Sequence, residues 1–289
     1  MSGELARRSP NIGSVNFPID LVSGRGARSP WVPMVKYAWE MRFKFVSLLA
    51  LTVLATACGS SSSSGSADFD VSNLVVEAGS TASGSVEVDG TTIDYATSVP
   101  EGFEVGDTAP VLLALPPGPQ DISLTRNIVD NVYAPEAQRL GWVVVSPAAP
   151  DAVRFFDGSE ALLPGFVDWI EAWVTPEGGA PHVAGISNGG LSAFRYAAEN
   201  PDRTQSVIAF PGFPRNSNDR AALGELADIP IRLYVGETDT NWVGPSEQTV
   251  TEFRALDGDI ELTIFPGEGH VMQSTADGTL VFAELESFR

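Results

Sequence analysis

From about residue 73 onward the chain switches repeatedly between short apolar runs and amphipathic stretches. Val86-Glu87-Val88 and Thr91 to Thr97 alternate apolar and polar positions around Asp89-Gly90, which predicts a β-hairpin with a two-residue turn. Pro110 to Leu115 is a continuous apolar run, as a strand buried on both faces requires. Leu124, Ile128 and Val132 fall four apart and predict a helix ending before Pro135. Trp142 to Val145 reads as a strand. Pro164 suits the first turn of a helix, on which Phe166, Trp169, Ile170 and Trp173 share a face. Pro181 to Ala184 predicts a short strand, followed by a helix to about Glu199 that Pro201 stops. Val207 to Phe210, Ile231 to Val235 and Ile260 to Phe265 read as further strands. Val250 to Leu256 belongs to a helix, and Val281, Leu285 and Phe288 mark a last one. Pro211 to Asn218 is expected to be the longest loop.

Strand and helix alternate throughout, which predicts an α/β domain over 73–289: a mainly parallel sheet, helices on both faces, and an antiparallel N-terminal hairpin. There is no internal repeat and no insertion long enough for a lid domain. The 289 residues, 43% of them hydrophobic, have a globular composition. A single cysteine excludes a disulfide framework and a Cys-rich zinc site, and two histidines leave little for a His-based metal centre. No metal or cofactor is implied.

Charge divides the chain. Residues 1–57 carry seven basic and three acidic side chains, while 58–289 carry ten and thirty-four. There is no lysine after Lys44. Such acidity speaks against nucleic acid, whose phosphates need Lys and Arg, and it repels anionic substrates.

The basic part holds an address. Arg42 and Lys44 precede an apolar run of thirteen residues, Phe45 to Ala57, too short to span a bilayer and the size of a signal-peptide core. Ala55, Thr56 and Ala57 precede Cys58, the lone cysteine, and Ser60 to Ser64 follow it. This resembles the lipobox of bacterial lipoproteins, with Ala55 where that family usually has Leu. The resemblance implies a signal over 41–57, lipid attachment at Cys58, a linker over 58–72, and export to a membrane surface, or secretion if Cys58 is not lipidated. Residues 1–40 read as an unstructured upstream extension, with translation expected to start at Met41. Arg7-Arg8 has no apolar run directly after it, as a twin-arginine signal would need.

Gly185-Ile186-Ser187-Asn188-Gly189 is a G-x-S-x-G pentapeptide between a predicted strand and a predicted helix. That is the setting of a nucleophile elbow, a sharp turn that exposes a serine hydroxyl. A serine needs a base, and the only histidine after it is His270, just past the last predicted strand. The imidazole needs an orienting carboxylate; Asp239 follows the preceding strand, with Glu237 as the alternative. His182, inside a strand, reads as structural. Phe155, Phe156, Phe213 and Trp242 fall in loops at the same sheet edge, where they either line a pocket or simply pack.

The order Ser, Asp, His at successive strand ends resembles the α/β-hydrolase superfamily. Within it the chain looks like the compact, lidless esterases of the feruloyl esterase, polyhydroxybutyrate depolymerase and carboxylesterase type. The resemblance implies Ser187 as nucleophile, His270 as general base and then acid, Asp239 as orienter, and an oxyanion hole from the Asn188 amide and the loop after Leu115. Many relatives carry His-Gly there; this chain has Pro116-Pro117-Gly118-Pro119-Gln120. Prolines lack an N–H, so Gly118 is the expected second donor and Gln120 the next choice. The expected activity is hydrolysis of small-molecule or polymer esters. A peptidase, an acyltransferase, or a non-catalytic surface-binding lipoprotein are the alternatives.

Overall fold

The computed structural model describes residues 76–289 together with Phe69, Val71 and Leu74. The chain divides into two units, Met1–Ser61 and Ser62–Arg289, and all described residues belong to the second. The upstream extension, the signal and Cys58 lie outside the described residues.

The hairpin forms where the alternation places it. β1 (Thr81–Val88) pairs antiparallel with β2 (Thr91–Ser98), closing with Val88 opposite Thr91. Asp89 and Gly90 both take positive φ, +49° and +77°, as a turn matched to strand twist requires. Beyond them run β3 (Thr108–Ala109), β4 (Val111–Leu115), α1 (Ile122–Ile128), α2 (Ala134–Leu140), β5 (Val143–Pro147), α3 (Leu163–Glu171), β6 (Thr175–Pro176), β7 (His182–Gly185) and α4 (Asn188–Glu199). Then come β8 (Val207–Ala209), α5 (Ser217–Ala221), β9 (Ile231–Gly236), α6 (Thr240–Arg254), β10 (Ile260–Phe265) and α7 (Thr279–Ser287).

The main sheet has the order β1-β2-β5-β4-β7-β8-β9-β10. β2 pairs antiparallel with β5, and every later pairing is parallel. The period-two rule divides the core. Val111, Leu113, Val143, Val145, Val183, Val207 and Leu233 face α3, α4 and α6, with Phe166, Trp169, Phe194 and Phe253. Their neighbours Leu112, Ala114, Val144, Ala184, Ile208 and Tyr234 face α1, α2 and α7, with Ile128, Tyr133, Phe282 and Leu285. Both faces are covered, which is why these strands read as unbroken apolar runs.

Two expectations change, and two features add to the reading. The helix does not end before Pro135: a π turn, Val129–Tyr133, joins α1 to α2, and Pro135 lies in the first turn of α2. There the Ala134 N–H reaches back to the Val129 carbonyl, and the widened turn accommodates a residue with no N–H. The loop from Pro211 is shorter than expected, because Asn216 caps α5 in a capping box with Asp219. α6 begins ten residues before Val250, at Thr240. The pair β3–β6 is two residues long and leaves no periodic trace.

His182 is buried in β7, 2% exposed, with Nδ1 2.7 Å from the Ser206 hydroxyl and its ring beside Trp142. Burial, reinforced by the Arg289 charge, lowers its pKa to about 4. An unfolded histidine titrates near 6.5, so between about pH 6.5 and 4 the unfolded chain binds a proton that the folded chain refuses. Stability therefore falls as pH falls through that window. In His182→Gln this part of the pH dependence should vanish, up to about 3 kcal/mol across the window. Urea titrations of both proteins at pH 7, 5.5 and 4.5 check it; parallel pH slopes would refute it.

Candidate active site

Ser187 sits between β7 and α4 with φ +56° and ψ −115°. L-residues avoid that region, and a chain holds one there only when its surroundings overdetermine the turn. The flanking glycines supply the surroundings. A Cβ on Gly185 would run into the Gly189 carbonyl, and one on Gly189 into the Leu115 carbonyl at the end of β4. With no side chains there, the turn closes against the neighbouring strand and presents Ser187 at the N-terminus of α4. That helix end favours developing negative charge.

His270 and Asp239 come to the same point. Ser187 Oγ lies 2.7 Å from His270 Nε2, and His270 Nδ1 lies 2.6 Å from Asp239 Oδ2. A carboxylate accepts, so Nδ1 carries the imidazole proton and Nε2 is free to accept from the serine. The Asp239 side chain is 9% exposed and that of His270 is 41% exposed. The carboxyl group is largely shielded from water, while the imidazole lines the cavity.

Two strand-end loops are laced together to achieve this. The Thr238 N–H and Oγ1–H both donate to the Glu268 carbonyl, at 2.9 and 2.8 Å. At Gly236 a Cβ would strike the Glu268 and Gly269 carbonyls, so glycine lets the His270 loop pass over the end of β9. The Glu237 carboxylate accepts from the Gly267 N–H at 2.8 Å. It serves the loop backbone, and the acid beside His270 is Asp239.

Gly118 and Ser187 line one cavity of about 410 Å³ with His270. The Gly118 carbonyl accepts from Asn188 Nδ2 at 2.7 Å. The Gln120 N–H donates to the Pro117 carbonyl at 3.0 Å, closing a turn, so it is not available as an oxyanion donor. Ile128, Val132, Ile186, Phe210 and Met272 give the cavity an apolar wall, and no lysine or arginine lines it. A larger cavity of about 570 Å³ beside Asp94, Asp121 and Asp151 shares none of these residues.

The four aromatics expected in loops at this edge do not line the cavity, and Trp242 lies not in a loop but in the first turn of α6. Phe155 and Phe156 are buried, while Phe213 packs on Trp242 at 5.0 Å and Trp242 lies 5.0 Å from the His270 ring. Part of the wall comes instead from α1 and the π turn, through Ile128 and Val132, and the rest from Ile186, Phe210 and Met272. The spacing of Ile128 and Val132 marks a helix face, but nothing in it says that the face meets the serine.

Gly236→Ala should separate the Asp239 and His270 loops at a cost of about 1–3 kcal/mol, the usual range for overpacking. A lower urea midpoint at unchanged m-value is the expected reading; an unchanged midpoint would mean the loops give way freely.

No protein-family model matches the chain, and no curated protein matches it. Solved structures do resemble it. A thermostable esterase superposes with a TM-score of 0.58 at 17% identity, covering 72% of this chain and 62% of that one. The match thus spans less than two thirds of that esterase. A ferulic acid esterase gives 0.55 at 15% identity, covering 72% of this chain and 96% of its own. The dienelactone hydrolase from Anabaena variabilis gives 0.53 at 20%, covering 72% and 96%. With the mostly parallel sheet, its antiparallel edge hairpin and helices on both faces, this likeness identifies the architecture: the chain has the α/β-hydrolase fold.

Proposed function

We propose that the chain is a serine hydrolase of carboxylic esters. The observation that carries this reading is the hydrogen-bonded line from Ser187 Oγ through both His270 ring nitrogens to Asp239, ending in a hydroxyl at a helix N-terminus. The named activities of the structural neighbours, esterases and hydrolases, support the same class.

In this mechanism Ser187 Oγ attacks the ester carbonyl while His270 Nε2 takes its proton. The carbonyl oxygen becomes an oxyanion held by the Asn188 and Gly118 N–H groups. His270 returns the proton to the alkoxy oxygen as the C–O bond breaks and the alcohol leaves. Water then enters from the exposed side of His270 and its oxygen bonds to the acyl carbon as Nε2 takes its proton; that proton passes to Ser187 Oγ as the acyl–Oγ bond breaks and the acid leaves. The cavity beside Ser187 takes the acyl group. Its apolar wall and lack of cations favour an uncharged hydrocarbon chain over a carboxylated one.

Assays on p-nitrophenyl esters check this. Ser187→Ala should lose at least about 10⁴-fold in kcat, and Asp239→Asn about as much, with circular dichroism unchanged. From acetate upward, each added methylene should raise kcat/KM by up to about fourfold until the cavity is full. A hemisuccinate ester should lag behind its uncharged homologue. Full activity in Ser187→Ala would end the serine mechanism. Labelling by a fluorophosphonate without turnover of any ester would redirect the search to peptides or acyl transfer.

We also propose that the protein is exported and held at a membrane surface by lipid on Cys58, a reading that rests on the sequence pattern at 41–58. Mass spectrometry of the mature protein should find Cys58 as the first residue, bearing acyl chains. An unmodified N-terminus beyond Cys58 would refute the anchor.

A further inference from the structure

The loop that follows β4 has an unusual difficulty. Pro116, Pro117 and Pro119 have no N–H, so this stretch cannot pin itself to the fold through its own backbone donors. It nevertheless places Gly118, at φ +61°, beside the serine. Gln120, two residues on, is fully buried at 0% exposure and itself takes φ +62°, a conformation an L-residue adopts only under constraint.

The constraint is the set of bonds its polar groups make. Nε2 donates to the Pro116 carbonyl at 3.1 Å and to Ser192 Oγ at 3.0 Å. Oε1 accepts from the Phe155 N–H at 2.8 Å, and the Gln120 carbonyl accepts from the Ala149 N–H at 2.7 Å. Ser192 lies in α4, one turn beyond Asn188, and is also fully buried. Its hydroxyl passes the line on, donating to the Asn188 carbonyl at 3.1 Å. Asn188 Nδ2 then donates to the Gly118 carbonyl at 2.7 Å. The result is a closed ring: Gln120 to Ser192, Ser192 to Asn188, Asn188 to Gly118, and back through Pro119 to Gln120. The two oxyanion donors of the proposed mechanism, the N–H groups of Gly118 and Asn188, both belong to residues of this ring.

We propose that Gln120 is the positioning residue of the oxyanion hole, fixing the separation of the Gly118 and Asn188 donors through its side chain. The assignment rests on the ester-hydrolase reading above. Gln120 touches neither substrate nor the reacting atoms. It acts by making the tie that the prolines cannot, between the oxyanion loop on one side and the helix behind the nucleophile on the other. Such donors engage the oxyanion and only weakly the ground-state carbonyl, so a loosened ring should slow turnover and leave substrate binding alone.

The test uses Gln120→Met, which keeps the length of the side chain and removes its donors and acceptor, and Ser192→Ala, which cuts the ring at its middle. Both are assayed against p-nitrophenyl butanoate beside the wild type, with thermal melts to confirm folding. Gln120→Met should lose about 10- to 100-fold in kcat with KM within about twofold, and Ser192→Ala about tenfold with the same split. The inhibition constant of an alkylboronic acid, whose tetrahedral adduct occupies the oxyanion site, should rise in step with the loss of kcat. Wild-type kcat in a folded Gln120→Met overturns the assignment, as does a rise in KM that accounts for the whole effect. Should Gln120→Met not fold, Ser192→Ala decides alone: wild-type kcat there overturns the ring. A wild type that neither hydrolyses the ester nor takes a fluorophosphonate overturns the hydrolase reading, and this assignment with it. An active wild type matched by both variants overturns the positioning role only.

Discussion

The sheet edge that carries the site depends on a single strained turn. Ser187 holds a backbone conformation that L-residues avoid, and the surrounding backbone leaves it no alternative. Gly185 lets the first turn of α4 fold back over the end of β7, and Gly189 lets that turn approach the carbonyl end of β4, with no side chain between them. Because that approach is backbone to backbone, it fixes the hydroxyl relative to the loop after β4 as firmly as the sheet fixes its strands. Everything else at the edge is arranged relative to this point. The β9 end is stripped to Gly236 so that the His270 loop can cross it, and Thr238 ties the crossing with two hydrogen bonds to one carbonyl.

Electrostatically the site differs from its surroundings. The part of the chain after residue 57 has thirty-four acidic side chains against ten arginines. Yet the wall of the cavity beside Ser187 is apolar, and the one carboxylate bonded to His270 is largely shielded from water. A largely shielded Asp239 acts at close range on one imidazole, whereas the surface carboxylates act through solvent and are screened. The general acidity and the local chemistry can therefore coexist, and the first says little about the second.

What is legible in the sequence follows from the physics of each element. Val111–Leu115 and Val143–Val145 are readable because helices cover both faces of the sheet, so short strands there run unbroken in apolar residues. The hairpin is readable because Asp-Gly is the dipeptide its turn geometry requires. The continuation of the helix past Pro135 is not, because a π turn is a property of hydrogen-bond registry and leaves no periodicity of its own. α5 is polar and five residues long, and its stability lies in the Asn216–Asp219 capping box and the Arg195–Asp219 ion pair. At the site, the approach of Ser187, Asp239 and His270 can be anticipated from their order at strand ends. The choice between Asp239 and Glu237 cannot, since both follow β9 within three residues. The fold separates them: Asp239 meets the His270 ring, while the Gly267 N–H claims Glu237.

Gln120 shows the limit most sharply. Read along the chain, it is a spare amide in a proline-rich loop, and its backbone N–H is the natural thing to count. In the fold that N–H closes a turn, and the side chain is the part that reaches across the molecule, to a serine 72 residues away. The prolines and the glutamine then make sense together. Proline stiffens the loop by restricting the unfolded chain, but it removes the donors by which a loop is usually attached. A buried amide with two donors and an acceptor restores that attachment from the side-chain direction.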